Sequence, residues 1–134
     1  MSNSVIRKAL EGRLAAWANA QSPKVPVAFE EAPFTKPTSG KFLEAFLVPA
    51  ITLDRDVSGN GKRYLGIFQV NCWALSGKGM AEVEALAASV ISLFPLLPKQ
   101  GNVSIESTPY AESAMDDSAG WTITPVTIKY RYET

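Results

Sequence analysis

The sequence predicts an α+β fold: a mainly antiparallel or mixed β-sheet with two α-helices packed on one face. Two segments, near residues 4–20 and 80–94, repeat apolar residues at helical spacing. Most of the remaining chain consists of short extended segments in which apolar and polar residues alternate with period two. The resulting order is helix, strand, long loop, two hairpin strands, helix and a further strand pair.

Ser4 to Ala20 reads as a helix, with Ile6, Leu10, Leu14 and Trp17 on one stripe and Arg7, Lys8 and Glu11 on other faces. Ser4 can cap its start, and Gln21-Ser22-Pro23 ends it because proline cannot continue the helix. Val25 to Phe29 is a short strand. Glu30 to Gly40, with prolines, a glycine and small polar residues, is a long exposed loop. Phe42 to Leu53 is extended, and Pro49, which has no N–H, marks an edge, a bulge or the end of the pairing. Asp54 to Arg63 is a hairpin turn around Gly59-Asn60-Gly61, with Asp54, Arg55, Asp56, Lys62 and Arg63 gathered at its tip.

Arg63 to Leu75 is the clearest strand. Tyr64, Phe68, Val70, Cys72 and Ala74 share one face, and Gln69 and Asn71 share the other with Leu65, Ile67 and Trp73. Met80 to Phe94 is a helix with a core stripe of Met80, Val83, Ala87, Val90 and Phe94. Its second face, Ala81, Ala85, Ala88 and Ser92, is built of small residues that let another backbone approach. Val103 to Tyr110 reads as a strand, Ala111 to Ala119 as a polar turn, and Trp121 to Tyr132 as the last strand. In that strand the apolar parity changes at Pro125, which predicts a bulge or register change there.

The 134 residues fit one domain, expected to span 1–134. Thirteen basic residues balance thirteen acidic ones, without the basic excess expected of a chain that lives on nucleic-acid phosphates. The absence of histidine removes His-based acid–base chemistry and most transition-metal sites. Cys72 is the one cysteine, so no internal disulfide forms; it reads as a buried core residue rather than a reactive thiol. The first 17 residues lack the apolar run of a secretory signal, and no run is long enough to span a membrane.

The segment LSGKGMAEVEALAASVISLF has the strand, glycine-lysine and helix order of a phosphate loop. A phosphate loop needs G-x-x-x-x-G-K-[ST]. Here the position five before Gly77 is Cys72, and Gly79 follows Lys78 where a hydroxyl is required. Gly77-Lys78-Gly79 therefore reads as a tight connection. Asp54, Asp56 and Asn60 fit a calcium loop only in part, since the twelfth position is Leu65 rather than glutamate. The acidic pairs Glu30-Glu31 and Asp116-Asp117 lie in polar loops with no sign of burial. No catalytic residue, cofactor or metal ligand is assigned.

The run RYLGIFQVNCWALSGKGMAEVEALAASVISLF resembles the tail-terminator-like proteins of long-tailed phages, the lambda-type terminators. The likeness lies in Arg63-Tyr64, Gly66 to Val70, Trp73, the Gly77/Gly79 connection and the Ala-rich helix ending at Phe94. Leu47 to Ala50, the closing GWTITPVTIKYRY and the opening helix also fit. The resemblance implies a non-enzymatic role: a ring, typically a hexamer, that ends tail-tube polymerisation and presents a surface to the head connector. It implies as partners further copies of the chain, the tail tube protein and a head-completion protein, with no membrane and no specific nucleic-acid binding. The implied place is the virion tail, assembled in the bacterial host cytoplasm. A head–tail adaptor is the alternative role in the same context, and a small nucleotide-binding enzyme using Gly77-Lys78-Gly79 is the other.

A closed ring needs two different patches on each subunit. The candidates from sequence are the helix face of Ala81, Ala85 and Ala88 and the strand face of Gln69, Asn71 and Trp73. Charged loop residues join them: Lys36 and Lys41 in one loop, and Asp54, Arg55, Asp56, Lys62 and Arg63 in the other. Both loops are expected to order on docking.

Overall fold

The computed structural model describes residues 2–21, 24–30, 34, 40–54, 57, 59, 61–75, 81–95, 99–100, 103–117 and 120–133. The elements are α1 (Ser2–Ala20), β1 (Val27–Phe29), β2 (Lys41–Asp54), β3 (Lys62–Leu75), α2 (Ala81–Leu93), β4 (Lys99–Gln100), β5 (Val103–Ile105), β6 (Tyr110–Ala111), β7 (Met115–Asp117) and β8 (Trp121–Glu133). They make one mixed sheet in the order β1-β2-β3-β8-β5-β4, with β6 and β7 also pairing to β8. Only β1–β2 is parallel; the other pairs are antiparallel. Both helices cover one face, as expected for the α+β class.

The helix stripe is cleaner than the sequence expectation. Ile6, Leu10, Leu14 and Ala18 are buried, whereas Trp17 is half-buried. Steps of four keep these residues on one side of the helix, and the small Ala18 takes the place expected for Trp17. Beyond α1, the Ala18 carbonyl accepts bonds from the Gln21 and Val25 N–H groups, which satisfies an end of the helix that has no internal partner. Across the sheet, Leu43, Ala45 and Leu47 on β2 and Phe68, Val70 and Cys72 on β3 face the helices. Val126, Ile128 and Tyr130 on β8 complete that layer, against Val83, Leu86, Ala87, Val90 and Phe94 from the α2 side.

The end of the chain differs from expectation in three respects. The segment 103–110 is not one strand: β5 stops at Ile105, and β6 begins at Tyr110. The expected polar turn at 111–119 contains the end of β6 and all of β7. The register change expected at Pro125 does not occur, because β3 and β8 pair without a break from Arg63↔Glu133 to Leu75↔Trp121. Both of the β8 apolar sets are accommodated because both faces of the strand are covered. Val126, Ile128 and Tyr130 face the helices, while Trp121 is buried on the opposite side. Pro125 lies opposite the gap where β6, paired at Thr127 and Val126, gives way to β7, paired from Ile123 to Trp121. A missing N–H costs no ladder bond there, and the Pro125 carbonyl still accepts the Glu112 N–H at 2.8 Å.

Candidate assembly interface

The sheet face turned away from the helices carries Gln69, Asn71 and Trp73, as their strand parity requires. These side chains are half-buried and linked to one another. The Thr127 hydroxyl donates to Gln69 Oε1 (3.3 Å), Gln69 Nε2 to Asn71 Oδ1 (3.2 Å), and Asn71 Nδ2 to Glu44 Oε1 (3.2 Å). Trp73 Nε1 donates to the same Glu44 oxygen at 3.3 Å. The register explains the chain of bonds, because Glu44↔Asn71 and Phe46↔Gln69 are direct cross-strand pairs.

Trp73 is also held by rings. It stacks on Phe42 at 5.1 Å with an 18° interplanar angle, and Trp121 meets Phe42 edge-on at 5.1 Å and 80°. Phe34 lies 5.6 Å from Phe42. Such aromatic pairs add about 0.5–1.5 kcal/mol each beyond their burial. This face is therefore a small second core joined to a satisfied polar ladder, and the sequence reading had not found the ring cluster. Its signal was available: Phe42 and Trp73 lie on like-facing positions of strands that a hairpin must pair.

Of the five hairpin charges, two meet each other. Lys62 pairs with Asp54 across the ladder. Arg63 places Nε and Nη2 on Glu133 Oε2 at 3.0 and 2.8 Å, a partner at the end of β8 that sequence order does not reveal. Lys36, Arg55 and Asp56 lie outside the described residues, as do Gly77-Lys78-Gly79 and most of the two loops expected to order on docking. Lys41 is half-buried and meets Ala85 in a groove of about 130 Å³ between the helices, beside Trp17, Gln21 and Val25. Ala81, Ala85 and Ala88 are exposed, so α1 does not cover the small-residue face of α2.

Past Pro49 the surroundings of β2 change. The pairing shifts by one residue between Pro49 and Ile51, a bulge at the position where the proline had signalled one. β1 pairs with β2 only at Leu43, Glu44 and Ala45. One further N–H on that edge, from Leu47, is taken by Glu30 Oε1 at 2.7 Å. Beyond that point Val48, Ile51 and Leu53 are 48%, 52% and 40% exposed, and Val57 is fully exposed. The sequence reading had seen the charges of this arm and missed its apolar side chains, whose signal was a hydrophobic run continuing beyond an edge-marking proline.

Burial pushes the Cys72 thiol up to about 12, away from the thiolate form a nucleophile needs. Among the described residues, no group of three His, Cys, Asp or Glu side chains could hold a metal ion. Among the described residues, no helix is long and apolar enough to cross a membrane.

The family model for the phage tail terminator protein matches residues 5–130. The chain belongs to the phage tail terminator family. That membership makes it a structural protein of the phage tail, with a place in the virion. This terminator-family chain is also 33% identical to a protein of solved structure whose name states no function. The two superpose with a TM-score of 0.81 over 98% of this chain and 96% of that one. A solved chain from the virion of a native gene transfer agent particle is 14% identical, with a TM-score of 0.62 over 96% of this chain and 94% of that one. That second likeness is one of fold. No curated protein matches the chain.

Proposed function

We propose that this protein assembles as a ring, a hexamer, on the finished end of the phage tail tube. There it ends tube polymerisation and offers the surface to which the head-completion protein joins. The observation that carries the reading is the terminator-family match across residues 5–130. The tail tube protein, the head-completion protein and further copies of this chain are its partners. Assembly takes place in the host cytoplasm, and the role is structural, without catalysis or cofactor. A single tail-terminator-like domain over 1–134 performs it.

A ring subunit must present two different patches that meet head to tail. The near-neutral balance of thirteen basic and thirteen acidic residues puts no large net repulsion in the way. Residues proposed earlier from sequence divide accordingly. Ala81, Ala85, Ala88 and Lys41 are placed to meet another molecule, and Lys36, Arg55 and Asp56 remain loop candidates. Gln69, Asn71, Trp73 and Arg63 hold the subunit's own sheet as well as any neighbour.

The test is electron microscopy of tails assembled with and without this protein. Overlong or unfinished tubes in its absence, and arrested tubes when it is added back, are the expected results. Tails of normal length and finish that fail to join heads would replace the terminator role with that of an adaptor.

A further inference from the structure

Exposed large apolar side chains on this chain are not scattered. Val48, Ile51, Leu53 and Val57 lie on the β2–β3 arm, and Tyr110 and Met115 lie on β6 and β7 at the other side of β8. Val5 is the remaining one among the described residues. The arm's inner strand, β3, pairs with the Arg131–Glu133 end of β8, whereas β6 and β7 pair with its Trp121–Thr127 portion. The two patches thus occupy diagonally opposite corners of the sheet and can be covered at the same time.

The second corner is concave. An open groove of about 380 Å³ runs between α2 and the β6–β7 ledge, floored by Ala87, Ala88, Ile91 and Ala111 with Glu112 at its rim. Thr124, 3% exposed, also lines it. The two corners differ in charge: the ledge is acidic and the arm is close to neutral. Residues 110–117 contain Glu112, Asp116 and Asp117 and no basic residue, and the arm sequence 54–63 carries Arg55, Lys62 and Arg63 against Asp54 and Asp56.

We propose that the apolar β2–β3 arm of one copy docks head to tail in the groove between α2 and the β6–β7 ledge of the next copy. The proposal rests on the ring reading above and identifies the contact that closes it. Two unlike patches suit a heterologous contact, whereas a two-fold dimer would bury the same patch twice. The outer edge of β2 past Leu47 has no strand partner among the described residues, so its main-chain groups are also open to the neighbour. Ala88 then lies against the docked arm.

The test uses introduced thiols. Cys72 is buried with its thiol pushed up to about 12, so it stays silent toward maleimides. Ile51→Cys and Ala111→Cys proteins, one of them tagged, are treated with a short bis-maleimide at high protein concentration and again on tail tubes. The expected result is a cross-link between the two variants when mixed and none within either alone, with the double variant giving a ladder of covalent oligomers. Ile51→Cys linking to itself, assembly without the mixed cross-link, or a chain that stays monomeric in both settings would overturn the proposal. As a second measurement, Ile51→Asp with Leu53→Asp is expected to raise the concentration for assembly at least tenfold while leaving the melting temperature nearly unchanged. Equal assembly by that variant also overturns it. If cross-linked rings form but tubes are not arrested, the capping role fails and this contact stands. If tubes are arrested without the Ile51–Ala111 cross-link, this contact fails alone.

Discussion

Strands β2 and β3 run side by side for their whole length, yet their two halves live in different surroundings. From Lys41 to Leu47 the strand alternates buried and half-buried residues beneath the helices, and from Val48 onward every residue of it is exposed. The apolar content is similar on both sides of the boundary, as FLEAFL and VPAITL show. Composition therefore does not decide burial here; cover does. β1 pairs with only three residues of the edge, and the bulge after Pro49 keeps Ile51 and Leu53 with Val48 on the face turned away from the helices, opposite Leu65, Arg63 and Ile67. The covered half makes the fold, and the uncovered half stays available to a partner.

The sharpest way to break this contrast is to remove a large side chain from the covered half. Phe68 is fully buried, sits 5.9 Å edge-on from Phe94, and pairs with Leu47 and Ile128. Phe68→Ala should lose about 3–5 kcal/mol, the sum of lost transfer and a cavity that close packing cannot refill. Urea unfolding at constant m-value measures it. A loss under 1 kcal/mol would mean that the helices do not seal this face.

Gly66 marks the border between the halves, opposite Pro49 on one side and Tyr130 on the other. A Cβ there would stand 2.6 Å from the Val48 carbonyl oxygen and overlap the Tyr130 ring and hydroxyl. Tyr130 is buried, so it cannot swing aside cheaply. Gly66→Ala should cost about 1–3 kcal/mol through overpacking. Tyr130→Phe in the same chain should return only part of that, because the ring carbon is also too close. Thermal unfolding of the single and double variants tests both statements.

Glu30 guards the border on the edge side. It accepts the Leu47 N–H and an Arg7 Nη1 bond at 3.0 Å, so one carboxylate ties α1, the end of β1 and β2 together. The Leu47 bond is the first reason its pKa falls below the ordinary 4.5, against the opposing effect of burial. The folded pKa is depressed, so the stabilisation is complete above the unfolded value and disappears as pH falls through the folded one. Glu30→Gln should cost about 1 kcal/mol at neutral pH and flatten the acid limb of the stability curve. An unchanged acid limb would place the linkage elsewhere.

These elements also show what a sequence can and cannot convey. The helices, β2, β3 and β8 were legible because each is long enough for its apolar pattern to repeat. Pro49 was read as an edge, a bulge or the end of pairing, and β2 does bulge there, whereas the bulge or register change expected at Pro125 does not occur; the two differ in context. Pro49 stands beside an edge with nothing to pair, but Pro125 faces a partner that is already split into β6 and β7. Such short strands leave almost no periodic signal, so the tertiary pairing that rescues Pro125 could not be foreseen. The same limit applies at the interface. Arg63 looked available because Glu133, its partner, lies 70 positions away. Trp73 looked available because stacking on Phe42 depends on register rather than on either residue alone.

The smallest expected effect is the most informative about the arm. Ile51→Ser and Leu53→Ser each remove an apolar side chain that is already 52% or 40% exposed. Little area is taken from water on folding, so little transfer free energy is at stake. Each change should alter monomer stability by no more than about 0.5 kcal/mol, as is usual for surface positions without special partners. The same truncation at Leu43 or Leu47, in the covered half of the strand, should cost several times more. Parallel urea titrations of the four serine variants, run at a concentration where the protein is monomeric, compare the halves directly. Equal losses would show that the arm is packed in the isolated subunit. Unequal ones, with the arm near zero, would show that Ile51 and Leu53 contribute little to the fold of one chain.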